Sequence, residues 1–359
     1  MSDILIIGGG IAGLSAGAAL APHARVTVLE GERALGYHSS GRSAALFEEL
    51  YGAPPVQALN KASAAAHAPY LSPRGLMLVA KADEADAFAA DRDTMGLTEI
   101  TGAEARALIP ILRDDVVLAA HTPASQDIDT DRQLQDHVRT IRSRGGCVET
   151  GQRVTAITKG TGWTVTTERA SYGADLIVNA GGAWADGLAQ MAGIAPMGIV
   201  PHRRSMARIP APGGHDVRGW PMLFGVGESW YAKPDAGKLL VSPADEDPVP
   251  PMDAWPDDMV LAEGLDRYSH YVTEPVVRLD SSWAGLRSFA PDRVLVLGPD
   301  AAEPWFIWCA GQGGYGFQSA PAAARLLADL VLNRPPELAP DMVAALSATR
   351  FAHRPEFAA

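Results

Sequence analysis

Residues 3–30 constrain the fold more than any other stretch of this chain. Asp3-Ile4-Leu5-Ile6-Ile7 is an apolar run of strand length that enters Gly8-Gly9-Gly10-Ile11-Ala12-Gly13 and then a helix-like segment ending near Leu20. A second apolar strand, 25–29, stops at Glu30. Gly8, Gly10 and Gly13 fit the G-x-G-x-x-G fingerprint of a strand–turn–helix that binds a dinucleotide. In that unit the first glycine permits the tight turn, the second admits the pyrophosphate, and the third lets the helix approach the strand. Helix-start amides hold the phosphates, which brings Ile11 and Ala12 into the candidate contact set. Glu30, 22 residues after Gly8, is placed to accept hydrogen bonds from the adenosine ribose, and Gly31 adjoins it. An acid there disfavours a cofactor carrying a 2'-phosphate.

Length and charge narrow the remaining choices. A chain of 359 residues supports one large domain or two. A net charge of -12 argues against a nucleic-acid groove and does not favour anionic membranes. The two cysteines, Cys147 and Cys309, give neither metal-ligand spacing nor a disulfide framework, and both are expected to be inert buried thiols. No metal site is expected. No transmembrane span is visible, and the apolar start is too short for a signal peptide and already used by the glycine turn. A cytoplasmic location is therefore expected, with peripheral contact at the inner membrane left open.

Further along, 36–44 (Gly-Tyr-His-Ser-Ser-Gly-Arg-Ser-Ala) is a loop of small hydroxylic residues suited to approach phosphate or ribityl groups. Helices are expected over 56–66, 82–91, 103–108, 130–144, 256–268 and 320–332, and a hairpin over 153–158 and 163–167. Arg325 and Asp329, four apart in the last helix, are expected to interact. A second strand-to-glycine junction runs from Ala174 to Trp184. Residues 200–280 change character, with strands over 205–209, 222–225 and 238–242 and frequent proline and aromatic residues. The simplest organisation is an α/β (α+β two-domain) protein. A discontinuous Rossmann-like domain would comprise 1–70, 123–198 and 283–359, and a mixed-sheet substrate domain 71–122 and 199–282. The end of the chain, 335–359, reads as a surface tail with a short helix.

The ordered set IIGGGIAGLSAG, GYHSSGRSAA, NAGGAWAD, SWYAKPDAG, WAGLRSF and GQGGYGFQ resembles the flavin-dependent D-amino-acid oxidase superfamily. Within it the set is most similar to bacterial D-amino-acid dehydrogenases of the D-arginine dehydrogenase type. The resemblance covers most of the chain. It implies non-covalent FAD, a Rossmann-like cofactor domain and a mixed sheet over the flavin ring. Cofactor contacts are then implied for Gly8, Gly10, Gly13 and Glu30, and for His38, Ser39, Ser40, Arg42, Ser43 and Ala44. Val154 follows near adenine, Ala180, Gly181 and Trp184 at the second turn, and Gly313, Gly314, Tyr315, Gly316 and Gln318 beside the ring.

The same resemblance implies that Arg287 clamps a substrate carboxylate, helped by Tyr231 and Arg204, with Gly314 adjacent and His38 near both substrate and flavin. A guanidinium suits this task because its planar fork meets both carboxylate oxygens. His38, Tyr231 and Arg287 are the candidate catalytic residues. The implied reaction is oxidative deamination of D-amino acids, with a quinone or other non-oxygen acceptor. Oxidases of glycine, sarcosine or other amino acids, 2-hydroxyacid dehydrogenases, and a non-catalytic flavin-stabilised binding or assembly protein stay open. An arginine-specific relative would place an acid near Pro73-Arg74-Gly75-Leu76; this chain has none there, which points to neutral or bulky apolar side chains, with Glu48 or Glu49 as the acids that could still reach the pocket.

Overall fold

The strand Asp3–Ile7 lies at the centre of a six-stranded sheet, as its unbroken apolar run requires. Parallel strands covered on both faces read as continuous apolar segments. The structure, a computed structural model, describes residues 3–351. The sheet order is Val296–Pro299, Phe306–Ala310, Leu176–Asn179, Asp3–Ile7, Arg25–Leu29 and Cys147–Glu149, parallel except for the first pair. On one face Ile4, Ile6, Val28 and Val178 pack against Leu14, Ile141 and Leu327 from the helices Ile11–Leu20, Thr130–Ser143 and Gly316–Val331. On the other, Leu5, Ile7 and Ile177 meet Ile157, Trp163 and Val165 of a three-stranded antiparallel sheet whose first two strands, Val154–Lys159 and Trp163–Thr167, form the expected hairpin. Arg325 of the Gly316–Val331 helix donates to the Ala62 carbonyl at 2.7 Å and stands 3.5 Å from Glu337, so its partners are a neighbouring helix and the segment after its own, not Asp329.

The glycine turn has the geometry its sequence demands. Gly8 sits at φ +117°, and a Cβ there would come within 2.2 Å of the Ala180 carbonyl oxygen. A Cβ on Gly13 would meet the Gly8 carbonyl oxygen at 1.9 Å. The first helix thus approaches its strand only because these side chains are absent.

A mixed eight-stranded sheet stands beside this unit. Its order is Ser281–Phe289, Val200–Ile209, Lys238–Ser242, Tyr231–Asp235, Met222–Gly225, Leu76–Lys81, Val116–Thr122 and Thr98–Thr101; only Met222–Gly225 and Leu76–Lys81 pair in parallel. The 282/283 boundary expected from sequence falls inside Ser281–Phe289, which pairs along its length with Val200–Ile209. We therefore propose the two-domain division with this strand in the substrate-side sheet.

Other departures have local causes. Val116–Thr122 and Thr98–Thr101 carry no strong strand signature; the first contains Ala119 and Ala120, both fully buried, and tertiary pairing with Leu76–Lys81 supplies what propensity does not. The helix expected over 82–91 begins as a short 3-10 turn, Ala82–Glu84, and continues as Ala85–Met95 until Gly96 at φ +61°. Cys147 is exposed on the edge strand while Cys309 is buried, so only the second matches expectation. The C-terminal tail holds the helix Pro340–Leu346, and residues 352–359 lie outside the described part.

Candidate functional site

A cavity of about 540 Å³ runs from the glycine turn to the eight-stranded sheet. At one end Gly8, Gly10, Ile11, Ala12, Glu30, Gly31 and Val154 line it; at the other stand Arg204, Tyr231, Arg287 and Tyr51. Gly313, Gly314, Gly316 and Gln318 contribute the start of the Gly316–Val331 helix, and Ala180, Gly181 and Trp184 the second turn. Gly13 and Tyr315 are the expected site residues that do not line it. Gly13 is consumed by helix–strand packing. Tyr315 packs its ring 5.2 Å from that of Tyr51, and burial pushes its hydroxyl up to about 12.

Around the turn, the donors and acceptors suit an adenosine diphosphate. Glu30 accepts from the Gly9 amide at 2.7 Å through one oxygen and from the Glu32 amide at 2.8 Å through the other, which fixes its carboxylate at the end of the second strand. A carboxylate has about four lone-pair sites, so capacity remains for ribose hydroxyls. The 36–44 loop straps over the turn, with the Gly36 amide on the Gly9 carbonyl at 3.0 Å and Ser40 Oγ accepting from the Ile11 amide at 3.0 Å. Ser39 donates to the Leu286 carbonyl at 2.6 Å, and Ser43 Oγ accepts from the Ala45 amide at 3.1 Å. Ala44 lines the cavity beside them. Buried Gln318 keeps an unpartnered Nε2 at the far wall, a polar donor suited to a bound cofactor.

Two residues of this loop line the cavity and also hold structural contacts. Arg42 lines the cavity, but its guanidinium is taken by the Ala254 and Ala284 carbonyls at 2.8 and 2.7 Å and by Asp253, so it ties the loop to the substrate-side sheet. His38, also on the cavity lining, places Nε2 3.2 Å from Glu32 Oε1 and its ring 4.6 Å from that of Trp184. Arg153 reaches the same Glu32 oxygen at 2.9 Å.

Arg287 is surrounded by another set altogether. Its Nη1 stands 3.5 Å from the Tyr51 hydroxyl, which is itself 3.5 Å from Glu228 Oε2. Burial works against the Arg287 charge, but Tyr51, Tyr231 and Glu228 around it hold its pKa above the ordinary arginine value. Burial likewise raises Tyr51, keeping that hydroxyl neutral. A Cβ on Gly314 would lie 2.9 Å from Arg287 Cζ, so glycine is what leaves the guanidinium its place. Arg204 is 9% exposed, sits 6.0 Å from the Tyr231 ring centre, and leaves Nε and Nη1 unpartnered; its Nη2 is 3.6 Å from Glu246. Two cations therefore converge on one buried end, an arrangement suited to an anionic group.

Tyr51 and Glu228 were not singled out from sequence. Tyr51 carries no local motif and reaches the site because the chain turns at Gly52, φ +99°. Glu228 lies three residues before Tyr231 and adopts φ +49°, a conformation uncommon for a side-chain-bearing residue and worth noting at a cavity wall. Glu48 lines the cavity, whereas Glu49 is exposed and does not. Among the described residues there is no cluster of three or more metal-ligating side chains, and no helix long and apolar enough to cross a membrane.

Known proteins place this architecture. The uncharacterized oxidoreductase YurR of Bacillus subtilis is 22% identical over 254 residues, a match spanning 67% of this chain and 64% of YurR, just under two thirds of its length. The glycine oxidase of Geobacillus kaustophilus superposes with a TM-score of 0.82 at 22% identity, covering 98% of this chain and 99% of that one. The L-proline dehydrogenase of P. horikoshii gives 0.80 at 22% identity, with 98% of each chain covered. Residues 3–330 match the family described as DAO, FAD dependent oxidoreductase. With a turn, an acid and a cavity that fit FAD, this chain belongs to the DAO family of FAD-dependent oxidoreductases.

Proposed function

We propose that this oxidoreductase acts on D-amino acids, giving imino acids that hydrolyse to 2-oxo acids and ammonia. The observation that carries the reading is the Arg287 guanidinium, seated over Gly314 in the cavity and framed by Tyr51 and Tyr231. Arg287 would take the substrate carboxylate in a two-pronged contact. Arg204 would add a second charge through its unpartnered Nε and Nη1, while Tyr51, accepting from Arg287 and donating to Glu228, would hold those two side chains in place. Each charged hydrogen bond contributes roughly 1.5–3 kcal/mol. Glu228 gives the substrate ammonium an acceptor on arrival and would take one of its protons, leaving the amine lone pair to support the forming C=N bond.

Gly8, Gly10, Ile11, Ala12, Glu30, Gly31, Ser40, Val154 and Gly181 would hold the adenosine and pyrophosphate portion of FAD, with Gly13 supporting the turn and Gly313, Gly314, Gly316 and Gln318 beside the ring. When bound, FAD supplies the two-electron acceptor for the hydrogen leaving the substrate's Cα. The protein's share is orientation: carboxylate, amine and side chain held at three separate places fix which hydrogen is presented. We place His38 with the cofactor, steadying Glu32 and Trp184, and not among the groups that move protons. A quinone or another non-oxygen compound is the proposed second acceptor, supported by the resemblance of the motifs, and a cytoplasmic site with room for peripheral contact at the inner membrane is proposed with it.

The test is an anaerobic panel of both enantiomers of several amino acids, N-methyl amino acids and 2-hydroxyacids, read by flavin absorbance. Bleaching confined to D-amino acids is expected. Preferential bleaching by glycine, sarcosine or hydroxyacids would replace this reading with one of those activities, and oxygen uptake during turnover would replace the proposed acceptor.

A further inference from the structure

Beyond the two arginines the cavity continues along one face of the eight-stranded sheet. Arg204 and Met206 are two apart on Val200–Ile209, and Met222 and Phe224 are two apart on Met222–Gly225, so each pair shares a face. Strand register sets Phe224 opposite Tyr231 and Met222 opposite Leu76. Leu46 and Met95 complete this stretch of wall. All six apolar residues pack with Tyr231 in a single hydrophobic cluster, and Leu76, Met206 and Phe224 are at most 4% exposed. The wall is therefore the inner surface of a packed core.

The carboxylate that borders this wall is already engaged. Ser125 Oγ donates to Glu48 Oε2 and the Leu50 amide reaches Oε1 at 3.3 Å. The Glu48 amide donates to Gln318 Oε1 at 3.2 Å, and its carbonyl accepts from Asn60 at 3.4 Å. These ties fix the segment after the 36–44 loop. Glu228, the other acid of this end, stands by Tyr51 and Arg287, where the amino group of a substrate would lie.

We infer, on the reading that Arg287 holds the substrate carboxylate, that this wall selects D-amino acids with large apolar side chains, branched, thioether or aromatic. Three methionine side chains, flexible and polarizable, let one surface fit several such shapes. A side chain carrying a guanidinium or ammonium would have to strip its hydration against six apolar neighbours.

The experiment has two arms on the FAD-loaded enzyme. In the first, kcat/KM is measured for D-leucine, D-methionine, D-phenylalanine, D-alanine, D-arginine, D-lysine and D-glutamate. One methylene in an apolar pocket is worth about 10–200-fold in discrimination, so the three apolar substrates should exceed D-alanine by at least about tenfold and the charged ones by more. Met222→Gln, which keeps the length and adds polarity, should lower the D-leucine to D-alanine ratio by about tenfold. Phe224→Leu should lower D-phenylalanine relative to D-leucine, a second variant for the event that the first does not fold. In the second arm, binding of 3-phenylpropanoate and 4-guanidinobutanoate is followed by perturbation of the flavin spectrum, with the first expected to bind tighter. Leading turnover of D-arginine or D-lysine, with tighter 4-guanidinobutanoate, overturns the inference and leaves the D-amino-acid reading intact. No turnover of any amino acid, with 3-phenylpropanoate bound tightly and weakened by Met222→Gln, overturns that reading and leaves the apolar wall standing.

Discussion

Adding one methyl group at Gly314 separates a functional role for that position from a structural one. An alanine Cβ would stand 2.9 Å from Arg287 Cζ, 3.0 Å from Nη1 and 3.2 Å from Nε. Ordinary contacts of this kind begin near 3.4 Å, so the guanidinium must retreat by about 0.5 Å or rotate. Arg287 is long and jointed, and Gly314 does not need positive φ, so the fold should absorb the change for under about 1 kcal/mol. Function should not. A misplacement of about 1 Å at a positioning group costs on the order of 100-fold in rate, so half that shift predicts roughly a tenfold loss of kcat/KM, or about 1.4 kcal/mol. Gly314→Ala should retain FAD and its melting temperature while anaerobic flavin reduction by the best substrate slows and its concentration dependence shifts upward. Parent-like reduction kinetics in a folded, flavin-loaded Gly314→Ala protein would refute the claim that Arg287 anchors the substrate.

Neighbouring perturbations should separate differently. Gly313→Ala forces φ +51° on alanine and drives Cβ to 2.3 Å from the Phe289 ring, so it should cost stability, about 2 kcal/mol or more, visible as a lowered denaturant midpoint. Arg287→Ala should reduce kcat/KM by about 100-fold or more with FAD content unchanged, since at least one charged hydrogen bond and its anchor are lost; equal kinetics would place the carboxylate elsewhere. Glu30→Gln replaces one of two accepting oxygens with a donor facing an amide, and should weaken FAD binding about tenfold by flavin-release titration. Burial, with His67 nearby, depresses His137 to about 4. The unfolded chain, with histidine near 6.5, then binds more protons between these values, so stability falls as pH drops from about 6.5 towards 4, by at most about 3 kcal/mol. His137→Leu should flatten that part of the pH–stability curve; an unchanged slope would show that His137 is not the group responsible.

Much of the cofactor half was legible in the sequence because its constraints are local. Gly8, Gly13 and Glu30 act within one strand–turn–strand unit, where spacing alone decides which backbone can turn and which acid ends the second strand. The same holds for the helices, whose bounds differ from expectation by a few residues at their ends, where caps and 3-10 turns blur the pattern. Arg287 and Tyr231 stood in recognisable motifs, and both line the cavity.

What the sequence left undecided depends on elements far apart in the chain. His38 and Arg287 belong to motifs that looked equally close to the substrate, yet one turns to Glu32 and Trp184 and the other to Tyr51 and Glu228. The Ser281–Phe289 strand reads as a return to the cofactor unit, but its nine register pairs with Val200–Ile209 carry Arg287 into the other sheet. Tyr51 has no motif at all and becomes a site residue only when the turn at Gly52 brings it against Arg287. Side-chain direction and strand partnership are set by packing between segments far apart in the chain, Tyr51 and Arg287 among them. Local spacing fixed where a dinucleotide could be held, and only the tertiary assembly decided which side chains face the substrate.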